Sequence, residues 1–169
     1  MRCALVPTVL VILIAAALPA APILGKKRMI PDDQKSLAGL REVRVHVSPL
    51  RSVLKSLDVR KAKIEALFRQ ELEASGFKIV TDTAAPRCVL RVVGQKDDRF
   101  PDAVSIITVI EIEQRVTVHR IEQDLTFATA TFMDVFLAHK SEVSKTVKQK
   151  IPSSVAFLAK ATGSATYGG

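Results

Sequence analysis

An α+β fold is what this sequence predicts: a mainly antiparallel sheet of about five strands with two helices packed on one face. Three observations lead there. Apolar residues alternate with period two in "REVRVHV" and "VSIITVIEIEQRVTVH". They recur at helical spacing in two other stretches, and Gly, Pro and Asp mark the joins. The predicted order is β-α-β-β-β-β-α after an N-terminal signal segment, which builds a two-layer domain.

The first strand, "REVRVHVSPL", sets Val43, Val45 and Val47 on one side and Arg44 and His46 on the other. Such alternation marks a half-buried strand, with His46 on the solvent face. In "VRKAKIEALFRQELEASG", Ile64, Leu67, Phe68 and Leu72 fall on one helical face. Asp58 is expected to cap that helix at its start, and Gly76 to end it. "FKIVTD" follows as a second strand, "TAAPR" turns the chain, and "CVLRVVGQ" is a third.

After the polar loop "KDDRFPDA" comes a long strand. Val104, Ile106, Ile110, Ile112, Val116 and Val118 share one parity there, while Glu111, Glu113 and Arg115 hold the other. "LTFATATFMDVFLAH" runs back as a hairpin partner. Its parity blurs near Thr131 and Phe132, which calls for a bulge or for cover on both faces. Ser141 is expected to cap the last helix, whose stripe is Val143, Val147, Ile151, Val155 and Leu158. Pro152 removes one of its hydrogen bonds and is expected to kink or split it.

The N-terminus has its own character. Arg2 precedes an uninterrupted apolar run, Val9–Leu18, and then "AAALPAAP". Charge, short apolar run and small residues in that order make a secretory signal peptide, cut after Ala17 or Ala20. The alternative is a retained anchor through residues 4–24, which are 21 uncharged residues. Pro7, Pro19 and Pro22 count against that anchor, and "KKR" at 26–28 would hold its C-terminal side in the cytoplasm. The expected division is 1–24 signal peptide or anchor, 25–41 linker, 42–162 a single α+β domain, and 163–169 a flexible tail. Without the leader about 145 residues remain, enough to bury about two-thirds of the unfolded surface in one core.

Lys and Arg number 25 against 17 Asp and Glu, and the pI of about 9.8 favours acidic partners. The charges are spread along the chain, and with no Trp and one Tyr base-stacking platforms are hard to build. No nucleic acid is expected. An anionic lipid or polysaccharide surface is the alternative, contacted through Arg60, Lys61, Lys63, Lys145, Lys148 and Lys150. Arg60, Lys61 and Lys63 crowd the start of the first helix, where its dipole disfavours positive charge.

Chemistry is sparse. His46, His119 and His139 fall on different elements, and neither Cys-x-x-Cys nor His-Glu-x-x-His occurs. Asp97, Asp98 and Asp102 match no calcium-loop spacing. Glu111 and Glu113 share a strand face and could act as acid and base only in a cleft. With Cys3 in the leader, Cys88 stands alone in the mature chain and reads as a small buried hydrophobe. The expectation is a non-enzyme with no cofactor and no metal. A small metal-dependent hydrolase using Asp97, Asp98, Glu111 or Glu113 is the more remote reading.

The stretch "IEALFRQELEASGFKIVTDTAAPRCVLRVVGQ" resembles two kinds of small bacterial envelope domain. These are the amino-terminal domain of the Tol–Pal translocation protein and the accessory lipoproteins of lipopolysaccharide assembly. The resemblance spans residues 42–96 and rests on a helix ending in "SGF" followed by paired strands. This chain lacks the lipidation cysteine of those lipoproteins after its leader. What the resemblance implies is an exported, periplasmic, non-enzymatic domain whose partner is another envelope protein.

Overall fold

A computed structural model describes residues 35–166, and side chains as far as residue 163. The signal or anchor segment, most of the expected linker and the last tail residues lie outside them. The strands are β1 (Glu42–Val47), β2 (Lys78–Ile79), β3 (Arg87–Asp97), β4 (Phe100–Val118) and β5 (Gln123–His139). The helices are α1 (Ser52–Lys55), α2 (Lys61–Ala74) and α3 (Val143–Thr166).

One five-stranded sheet runs in the order β2-β1-β3-β4-β5. The α+β architecture is the expected one, with two refinements. A short helix, α1, precedes the expected first helix, and β1 pairs in parallel with both β2 and β3. The β3–β4 and β4–β5 pairings are antiparallel and much longer, so the sheet is mixed but mainly antiparallel. The connection through α1 and α2 reverses the chain and lets β2 lie beside β1 in the same direction, as a helical crossover does.

Helices α1, α2 and α3 meet the same face. Val43 and Val47 of β1, Cys88, Leu90 and Val92 of β3, and Val104, Ile106, Ile110 and Ile112 of β4 form its buried floor. Ile64, Phe68 and Leu72 of α2 close over it, with Val143, Val147, Ile151, Val155 and Leu158 of α3 beside them. Leu37 and Leu40, in the stretch expected to be linker, are buried in this core too. Gly94 lets α1 approach the sheet: a Cβ there would stand 2.6 Å from Leu54 Cδ2.

The helix ends depart from expectation in two places. Gly76, at φ +88, ends α2 in a Schellman turn: its N–H donates to Glu73 O, and the Phe77 N–H to Leu72 O. Asp58 does not cap α2. It takes φ +56 and closes α1 in the same way, with Asp58 N–H donating to Lys55 O and Val59 N–H to Leu54 O. A short polar side chain tolerates the left-handed region, which is why aspartate can stand where glycine usually does. Ser141 does not cap α3 either: the first helical bond runs from the Thr146 N–H to Glu142 O, and the Ser141 hydroxyl instead pairs with His139 Nδ1 at 2.7 Å. α3 runs unbroken through Pro152, and the Ser153 and Ser154 hydroxyls both donate to Lys150 O in the turn before it.

Candidate functional site

The opposite face of the sheet carries no helix among the described residues. Strand register assembles it row by row. Arg91, Val109 and Met133 form one row across β3, β4 and β5; Val93, Ile107 and Val135 form the next; Gln95, Ser105 and Leu137 a third. In the other direction the rows are Val89–Glu111–Thr131 and Arg87–Glu113–Ala128. A bulge at Thr129 shifts the β4–β5 register between Ile112 and Glu113. It accounts for the blurred parity in β5 and keeps each half of the strand in phase with β4.

This open face therefore has two halves. One is apolar, and its β5 rim is the most exposed part: Met133 is 68% exposed, Val135 56% and Leu137 76%. The other is a ladder of ion pairs. Arg87 Nε donates to Glu113 Oε2 at 2.6 Å, Arg91 meets Glu111 at 2.7 Å, and Arg115 meets Asp124 at 3.0 Å. Glu111 and Glu113 are thus each engaged by their own arginine, in an open lattice rather than a cleft.

Two of the three loop carboxylates, Asp97 and Asp102, are engaged as well. Asp97 accepts hydrogen bonds from the Arg99 side chain and backbone N–H, which hold its carboxyl below the usual range. Lys140 does the same for Asp102. No group of three or more His, Cys, Asp or Glu side chains among the described residues is placed to hold a metal ion. Cys88 is fully buried, and desolvation pushes its thiol up to about 12.

The six basic residues separate into two sets. Strand directions make α2 and α3 run the same way, and Ser144 Oγ donates to Asp58 O at 3.4 Å where their first turns meet. Arg60, Lys61, Lys63 and Lys145 are thereby gathered at one end, all exposed, with Lys148 a turn further along α3. Neither first turn contains an acidic residue. Lys150 is drawn elsewhere, 3.5 Å from Asp134 and 5.4 Å from the centre of the Phe136 ring.

Sequence reasoning did not single out Met133, Val135 and Leu137. Their signal was present: β5 is apolar at both parities, and only the position of α3 decides which set stays open.

No protein-family model and no curated protein matches the chain. Solved structures do resemble it in outline. A minor lipoprotein from Acinetobacter baumannii aligns at 10% identity and TM-score 0.39, over 75% of this chain and 93% of that one. The PelC dodecamer from Paraburkholderia phytofirmans aligns at 12% and 0.40, over 72% and 87%. Rare lipoprotein B from Shewanella oneidensis aligns at 16% and 0.33, over 73% and 95%. Two of these three are lipoproteins, the broader part of the resemblance drawn from residues 42–96; none is a Tol–Pal protein. At such scores the likeness is one of strand and helix arrangement and decides no activity. Among the described residues no helix is long and apolar enough to cross a membrane.

Proposed function

We propose that this is an exported, non-enzymatic domain of a bacterial envelope that binds another envelope protein through its open sheet face. The observation that carries the reading is the apolar half of that face, exposed on β5 at Met133, Val135 and Leu137. Contiguous apolar surface of this kind is costly to leave in water and marks contact sites. The leader supports the compartment, and carboxylates already held by arginine or lysine support a role other than catalysis.

Intact-mass analysis of separated cell fractions tests the compartment and gives the mature N-terminus in the same measurement. A mass shortened by the leader in the exported fraction is expected; the full-length chain free in the cytosol would overturn the reading. For the docking face, the Met133→Asp/Leu137→Asp variant is expected to keep its melting temperature and lose the co-purifying envelope protein.

A second reading has its own observation, the gathering of Arg60, Lys61, Lys63 and Lys145 at the shared end of α2 and α3. That end suits an anionic lipid or polysaccharide surface. It predicts binding to anionic vesicles that falls steeply as salt rises. Salt-insensitive binding, or none, contradicts it.

A further inference from the structure

The two edges of the sheet are very different. β2 is two residues long and its Lys78 is ion-paired to Glu42 on the neighbouring strand. β5 is an edge of 17 residues whose outer backbone groups meet no described strand. Natural edges of that length are blunted with lysine, proline or inward charge. From Ala130 to Ala138, "ATFMDVFLA", β5 has no lysine, arginine or proline and a single charge, Asp134. Its one irregularity, the Thr129 bulge, stands just before this stretch and leaves it regular.

Both sides of this edge are apolar. Met133, Val135 and Leu137 face the open side. Phe132 and Phe136 face the helix side, where Phe132 meets the 57% exposed ring of Phe157 edge-on at 5.4 Å. Between β5 and α3 a hollow of about 270 Å³, lined by Phe132, Asp134, Ser153 and Phe157 among others, leaves room beside the strand. A strand added here must therefore be apolar on both faces and carry little charge. β5 has that composition.

We infer that the Thr131–His139 segment of β5 pairs antiparallel with the same segment of a second copy, about a two-fold axis at Val135, joining two sheets into one. Two-fold pairing makes the contact self-complementary. Charge and the bulge together favour one register. Centring on Asp134 sets two like charges face to face, which is unfavourable. Centring on Met133 sets Leu137 against the bulged Thr129. Centring on Val135 places Asp134 across from Phe136 of the second copy, whose ring lies under Lys150. Each Asp134 then faces a lysine from both copies. On the open side the pairing aligns Met133 with Leu137 and Val135 with Val135, so the two apolar halves become one continuous face. This deepens the docking reading by naming what adjoins that face, and it fails separately from it.

Light-scattering mass of the protein purified from its own compartment is expected to show a dimer, and Val135→Lys a monomer with an unchanged circular dichroism spectrum. Val135→Cys, made with Cys3→Ser, is expected to form an intermolecular disulfide on mild oxidation, and Thr126→Cys in the same background to form none. A wild-type monomer at every concentration would overturn the pairing. So would a dimer indifferent to Val135→Lys, or equal cross-linking at both cysteines. A monomer that still binds an envelope protein would remove the pairing and leave the docking reading intact.

Discussion

β4 shows the same kinds of residue meeting two fates. Ile106, Ile110 and Ile112 point to the helices and are fully buried. Ile107 and Val109, one position away, point to the open face and are only partly buried. Further along that face Glu111 and Glu113 lie in arginine pairs. Residue type does not separate the two sets. The position of the helices does, since a strand hands alternate side chains to opposite faces. The covered face accordingly supplies most of the stability, while the open face is free to serve contact.

Unequal substitution costs are the sharpest check on that contrast. Ile110→Ala empties space in the core and is expected to cost about 2–5 kcal/mol. Met133→Ala, on the open rim, should stay within about 0.5 kcal/mol of wild type. Urea unfolding at a constant m-value measures both, and equal losses would break the comparison. Gly94→Ala comes next. Its new methyl meets buried Leu54 at 2.6 Å, an overpacking expected to cost about 1–3 kcal/mol. Adding Leu54→Ala should make the pair less than additive, because the second change removes the atom struck by the first.

Smaller effects belong to the charged half of the open face. Glu113→Gln weakens a pair whose arginine is 42% exposed, so a loss of about 1 kcal/mol or less is expected. A double-mutant cycle with Arg87→Gln isolates it. The smallest effect concerns Cys88 on the covered face. The folded thiol stays protonated well above its ordinary value of 9.0, whereas the unfolded thiol ionises there. Stability is therefore expected to fall slightly as pH rises through the unfolded value. At pH 8 iodoacetamide should leave the native thiol untouched and label it in urea, as read by mass; prompt native labelling would mean that β3 is not covered as described.

Much of the covered face was legible in the sequence because periodicity reports burial directly. The valines of β1, the isoleucines of β4 and the stripes of α2 and α3 all stand where their spacing predicts. Less legible were features with no period. Four residues of α1 are too few to show one, and alternation is the same in a parallel strand as in an antiparallel one. The residue type of Asp58 suits a helix start, yet its left-handed backbone makes it a helix end. The site was the least legible part. Exposure of the lysines could be read from spacing, but not the diversion of Lys150 to Asp134. Nor could β5, apolar at both parities, reveal which set α3 would leave uncovered.

On the proposed reading, the open face of β5, and not the helical side, meets the partner protein. Photo-reactive residues introduced one at a time in cells test it most directly, at Met133, Val135 and Leu137 and at the exposed helix positions Gln70 and Lys148. Discrete protein adducts from the three β5 positions and none from the two helix positions are predicted. Adducts confined to Gln70 and Lys148, with the β5 positions silent, would contradict the account.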